Sequence, residues 1–107
     1  MPLPDISHLQ YLLLAALIDG ERSGRQLRAA LEQQGERKSG PAFYQLMARM
    51  EDAKLVTGRY EQKIVEGQII KERVYTASGA GVTAFETARD FYAAVAARQL
   101  GLEGGLA

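Results

Sequence analysis

Two groups of side chains in this sequence could do chemistry, and both suit recognition rather than catalysis. Ser39, Pro41, Ala42, Tyr44, Gln45 and Arg49 fall in the segment SGPAFYQLMAR, and Arg59, Lys63, Lys71 and Arg73 fall in the stretch that follows. The carboxamide of Gln45 has the donor and acceptor that match an adenine edge, and Ala42 suits a thymine methyl. Ser39, Tyr44 and Arg49 are better matched to phosphate oxygens. The same face would also be polar if it only met solvent. The four cations of the second group interleave with Glu61, Glu66 and Glu72. Cross-strand ion pairs of a solvated hairpin therefore compete with nucleic-acid backbone contact as their use. Arg25 and Arg28 are weaker candidates, because exposed arginines are common on any helix.

Catalytic and ligand-binding chemistry has too little to work with. His8 is the only histidine and cysteine is absent, which leaves no donor set for a metal and no disulfide. Gly79-Ala-Gly-Val-Thr-Ala84 matches GxGxxA, yet too little chain follows for a βαβ dinucleotide fold. Helix capping and close packing account for those glycines better. Glu51 and Asp52 are neighbours, splayed about 100° apart on a helix, and cannot face each other as acid and base. No enzyme activity, cofactor or metal is expected.

The recognition residues need elements to hold them. Asp5 or Ser7 can cap a first helix that runs to about Asp19 before Gly20. Ile6, Leu9, Leu12, Leu13, Ala16 and Leu17 form one face and Tyr11, Leu14, Ala15 and Ile18 cover much of the rest, which predicts burial on more than one side and a second subunit. Ser23 with Gln26 has capping-box spacing and opens a second helix that Gly35 ends. Glu36 to Gly40 is the turn. A third helix begins at Ser39 to Pro41, with proline in the first turn where no donor is missed. Phe43, Leu46, Met47 and Met50 face inward, leaving Tyr44, Gln45 and Arg49 outward. Val56 to Val65 and Gln68 to Thr76 read as strands joined at Glu66-Gly67. Ser78 caps a last helix, about 79–100, whose apolar arc exceeds the stripe that one core needs. Its excess, including Phe85, Phe91, Tyr92 and Val95, predicts a partner helix. The tail 101–107 is expected to fray.

Composition permits this organisation. With 107 residues, 47% of them hydrophobic and 24% charged, one soluble domain is expected. The longest apolar run, Tyr11 to Ile18, is shorter than the roughly 20 residues a membrane span needs. No basic region precedes it, so no signal peptide is expected, and a cytoplasmic location follows. The formal net charge of zero counts against strong non-specific binding to nucleic acid. From Arg22 to Arg73, however, eleven Lys/Arg meet seven Asp/Glu. The positive charge is concentrated where the recognition residues lie.

Ser39-Gly-Pro-Ala-Phe-Tyr44, then Leu46, Arg49-Met-Glu51 and the Leu55-Val56 strand entry, resemble the PadR-like transcriptional regulators. The apolar LLLAALIDGERSGRQL and the Tyr75-Thr-Ala-Ser78 passage to Gly81 are similar to that family as well. The resemblance spans about Leu9 to Phe91. It implies a mainly α fold with a small β-hairpin: a winged helix-turn-helix over residues 1–78 and one dimerisation helix over 79–107, forming a single structural domain. It implies that Ser39, Pro41, Ala42, Tyr44, Gln45, Arg49 and Arg73 face double-stranded DNA. It also implies a homodimer through the first and last helices, with Leu9, Leu13, Leu14, Phe85, Phe91, Tyr92 and Val95 as candidate contacts. A repressor is the expected sense of regulation, with a small aromatic effector near Tyr11, Phe91 or Tyr92. The sequence departs from the family at its wing tip, Lys63-Ile-Val-Glu-Gly-Gln-Ile-Ile70, which lacks the basic, Gly/Pro-rich character expected there. The competing reading is a winged-helix protein-interaction module that binds no DNA; a small-molecule sensor is a third.

Overall fold

The computed structural model describes residues 3–99, and side-chain caps explain where its helices begin. Helix α1 (His8–Leu17) opens on a capping box: Ser7 Oγ accepts from the Gln10 amide at 3.1 Å, and the Gln10 side chain accepts from the Ser7 amide at 2.8 Å. Ser7, not Asp5, is the cap. Ser23 and Gln26 repeat the same box, with the same distances, ahead of α2 (Gly24–Gln33). Ser39 Oγ accepts from the Ala42 amide at 3.3 Å to open α3 (Gly40–Asp52), which carries Pro41 in its first turn. Helix α1 ends two residues before the expected Asp19, because the chain tightens into a turn in which the Gly20 amide bonds the Leu17 carbonyl at 3.1 Å. The expected end of the last helix at Leu100, and the tail, lie outside the described residues.

Helix α3 stops without glycine. Lys54 takes the left-handed conformation at φ 65°, and the Leu55 amide reaches back to the Met50 carbonyl at 3.0 Å. This is the closing pattern that usually recruits glycine. Strands β2 (Val56–Val65) and β3 (Gln68–Ala77) then form an antiparallel ladder whose last rung is Val65 opposite Gln68. Glu66 and Gly67 both have positive φ, 51° and 78°, as a two-residue hairpin turn requires. Ser78 joins β3 to α4 (Gly79–Gln99): its Oγ donates to the Lys54 carbonyl at 2.6 Å and accepts from the Gly81 amide at 2.9 Å. Ser78→Ala is expected to cost about 1 kcal/mol. A thermal melt that leaves the midpoint unchanged would remove this cap from the account.

One element was not expected. Arg22 and Ser23 form a short strand, β1 (Arg22–Ser23), which pairs with β3 opposite Tyr75 and Val74. The sheet is thus three-stranded, in the order β1-β3-β2. Ser23 is buried there and works twice, as sheet residue and as helix cap.

The core sits between the three N-terminal helices and the root of the sheet. It joins Leu13, Leu14 and Leu17 of α1 to Leu27 and Leu31, then to Phe43, Leu46, Met47 and Met50, with Val56 and Tyr75 below. This corrects one expectation. Leu13 and Leu14 are fully buried within the chain and have no surface to offer a second subunit. Helix α1 is apolar on several sides because α2, α4 and β3 of its own chain pack around it.

Outside this core the chain thins. Every residue from Gln62 to Lys71 is exposed, and beyond Ala88 no described residue of α4 is buried. The molecule measures 66 × 25 × 23 Å.

Candidate nucleic-acid interface

Helix α3 buries Phe43, Leu46, Met47 and Met50 and leaves Pro41, Tyr44, Gln45, Ala48 and Arg49 exposed. Ser39 caps the helix at the exposed end, and Ala42 is half-buried beside it. The six candidates of this segment therefore share one surface, which carries no carboxylate before Glu51. Tyr44 has a further constraint. Its ring packs edge-on against Phe43, with centroids 5.0 Å apart, and its phenol lies over Gly24. A Cβ on Gly24 would stand 2.5 Å from the Tyr44 hydroxyl oxygen. Glycine at the first position of α2 is what lets the tyrosine lie there.

Antiparallel rungs put directly opposed residues on the same face of the ribbon, and successive rungs on opposite faces. Tyr60–Arg73 and Gln62–Lys71 consequently share the face turned toward α3, while Glu61–Glu72 and Lys63–Ile70 share the other. On the α3 side, Arg73 donates to Glu51 at 2.7 Å, tying the wing to the end of the helix. Gly58 makes room for this pair, since a Cβ there would come within 2.8 Å of both the Arg73 guanidinium and the Glu51 carboxylate. Burial alone would lower the Arg73 pKa, but Glu51 and the Tyr75 hydroxyl outweigh it, and the guanidinium sits above the ordinary arginine value. Burial pushes the Tyr75 phenol up. Lys71 and Arg73 both lie over the Tyr60 ring, at 4.9 and 4.8 Å from its centroid. Together with Tyr44, Ala48, Glu51 and Tyr75 they line a 540 Å³ cleft between α3 and the wing.

The opposite face is a closed charge network. Arg59 donates to both carboxylate oxygens of Glu21 at 2.9 Å. Lys63 lies 2.9 Å from Glu72, and Arg25 reaches the same carboxylate at 2.7 Å. The hydrogen bond that Arg59 donates to Glu21 raises the Arg59 pKa, and the adjacent Lys63 ammonium holds Glu72 below the usual carboxylate range. The network relieves a like-charge rung, Glu61 opposite Glu72, that would otherwise weaken the ladder. Of the four wing cations, Arg59, Lys63 and Arg73 thus have carboxylate partners. Among the described residues, Lys71 and Arg49 have none within 4.0 Å.

A second basic surface lies ahead of α3. Arg25, Arg28, Arg37 and Lys38 surround a 320 Å³ cleft with Ala29 and Glu32. Arg28 donates to the Lys38 carbonyl at 3.0 Å and holds the turn that leads into α3. Arg37 and Lys38 were not anticipated, since a turn offers no periodicity from which to place a side chain. Glu51, Gly24 and Gly58 were likewise missed as parts of the site. Among the described residues no group of three His, Cys, Asp or Glu could hold a metal.

The candidate partner residues gather on the α1–α4 side. Tyr11 of α1 stacks on Phe85 at 5.2 Å and meets Tyr92 edge-on at 5.8 Å, and Tyr92 in turn meets Phe91 at 5.4 Å. Tyr92 and Val95 are exposed, while Leu9, Phe85 and Phe91 are half-buried. No described helix is long and apolar enough to cross a membrane.

No protein-family model and no curated protein matches the chain. Solved structures do. The chain is similar to a PadR family transcription regulator from Clostridium difficile R20291, with a TM-score of 0.72 at 14% identity, covering 91% of this chain and 97% of that one. It is similar to a PadR-like transcriptional regulator from Bacillus cereus at a TM-score of 0.71 and 22% identity, covering 88% and 89%. Bacillus subtilis PadR in complex with operator DNA aligns at a TM-score of 0.63 and 20% identity, covering 76% of this chain and 46% of that one. Among the described residues, four helices and a three-stranded antiparallel sheet, arranged as in these structures, give the chain a PadR-like winged-helix fold.

Proposed function

We propose that the chain is a sequence-specific DNA-binding transcription regulator, acting as a homodimer that represses a promoter by occupying it. The observation that carries this reading is the exposed stripe Pro41, Tyr44, Gln45, Ala48 and Arg49 on α3. It is free of carboxylates, capped at its leading end and braced by the wing through Glu51–Arg73. A PadR of the same fold bound to operator DNA supports it. In this reading each α3 enters a major groove, with half-sites about 34 Å apart. The exposed side of α4, with Tyr92 and Val95, joins Leu9, Phe85 and Phe91 in the dimer contact. A small aromatic effector would enter beside Tyr11, Phe91 and Tyr92 and act by changing the spacing of the two α3 helices.

Salt separates this from the alternative. The internally paired wing favours a protein-interaction module, whose apolar contacts would respond little to ionic strength. A DNA reader using Arg28, Arg49 and Lys71 of each subunit releases counterions from about six phosphates. Its log affinity should then fall with log salt at a slope near −5. Fluorescence anisotropy on the duplex upstream of the chain's own gene measures it. A slope near zero, or equal affinity for a scrambled duplex, removes the DNA reading.

A further inference from the structure

The tip of the wing is apolar where a backbone-tracking wing would be basic. Ile64 and Ile69 stand directly opposite each other, one rung from the closing pair of the turn, and are 78% and 72% exposed. Neither belongs to the core of the described chain. Lys63, beside Ile64 in the chain, faces the other way and is committed to Glu72. Lys71, the cation on the isoleucine face, lies back over the Tyr60 ring, and Glu66 at the apex would repel a phosphate. This tip is unsuited to riding along a sugar-phosphate backbone. Two opposed aliphatic side chains at the end of a ribbon suit a different target, the apolar interior of a base stack.

The ribbon's own geometry points the same way. The rungs Tyr60–Arg73, Gln62–Lys71 and Ile64–Ile69 fall on one face, the face that flanks α3. The isoleucine pair is therefore continuous with the candidate reading surface. Four residues of strand carry it about 13 Å beyond Tyr60. The groove next to the one read by α3 lies roughly half a turn away, about 17 Å. Opposed Cβ atoms about 5 Å apart also match a minor groove about 6 Å wide.

We propose that Ile64 and Ile69 form an apolar wedge that enters the minor groove beside the α3 site, partly unstacks one base step and bends the duplex. The proposal rests on the DNA-binding reading above. Wedges of this chemistry bend DNA by 20–90°, and pyrimidine–purine steps yield to them most readily. The wedge gives the wing a use that its neutralised charge does not.

The test uses the full chain and the upstream duplex labelled with a fluorophore at each end. Energy transfer should rise on binding, reporting a bend. Ile64→Ser with Ile69→Ser should abolish the rise and weaken binding about tenfold, while Ile64→Leu with Ile69→Leu retains both. A straight wild-type complex, or a serine variant that bends DNA as well as wild type, overturns the wedge and leaves sequence-selective binding intact. Loss of self-association in the serine variant, with bending unchanged, overturns it in favour of a second copy at the tip. Failure of the wild type to bind any duplex selectively overturns the wedge and the proposed function together.

Discussion

Gly81→Ala is expected to destabilise the protein by about 3 kcal/mol, at the upper end of overpacking costs. A Cβ at this position would stand 2.0 Å from the Leu55 carbonyl oxygen and 3.1 Å from a Leu14 methyl. The nearer obstacle is backbone, which cannot rotate away as a side chain can. It is also occupied, since the Leu55 carbonyl accepts the Ser78 amide at 3.0 Å. Moving it disturbs the joint where α3, β2 and α4 meet. For a domain of this size the melting midpoint should fall by roughly 12–24 °C. Gly79→Ala is the control, because nothing lies within 4 Å of its Cβ position. A midpoint for Gly81→Ala within a few degrees of wild type would show that α4 does not pack this closely.

The second large effect is on binding. Replacing Tyr44, Gln45 and Arg49 together with alanine should weaken affinity for the upstream duplex at least 100-fold. A base-edge contact is worth about 1–3 kcal/mol and a phosphate contact lowers the salt slope by about 1. A homodimer loses the Gln45 base contact at both half-sites, about 2–6 kcal/mol, and the Arg49 phosphate contact twice as well, against the roughly 2.7 kcal/mol that 100-fold requires. All three side chains are exposed, and only Tyr44 has packing to lose, against Phe43 and over Gly24. The triple variant should therefore remain folded, which circular dichroism checks. Full affinity in a folded triple variant would place the binding surface somewhere other than α3.

Much of the fold was legible because its signals are local. Ser23 with Gln26, and Ser39 before Pro41, mark two helix starts within four residues of chain each, while the first start narrows only to Asp5 or Ser7 until Gln10 is read together with Ser7. Glu66-Gly67 marks the turn as plainly. The two-residue strand β1 gave no such signal, because two residues have no period. The αL position at Lys54 was hidden for a related reason, since the residue there is not glycine. At the candidate site, helical spacing was enough to place the outward face of α3. What each charged group does with its charge was not readable, because Glu51 and Arg73 are 22 residues apart and Arg59 and Glu21 are 38 apart. The roles of Gly24, Gly58 and Gly81 belong to whatever comes close to them in space. Leu13 and Leu14 show the converse error. Counting apolar faces on α1 cannot tell a partner subunit from three neighbours in the same chain.

The closed charge network on the outer face of the wing has a kinetic consequence in the DNA-binding reading. Arg59, Lys63 and Arg25 meet Glu21, Glu61 and Glu72 within 4.0 Å, so beyond a Debye length of about 8 Å the fields of these three cations and three carboxylates largely cancel. A chain of zero net charge with such a wing is not drawn toward DNA from afar. Encounter then proceeds at an unsteered rate, near 10⁵–10⁶ M⁻¹s⁻¹. The lifetime of the complex, rather than the speed of finding the site, becomes the quantity that side-chain contacts at α3 can tune.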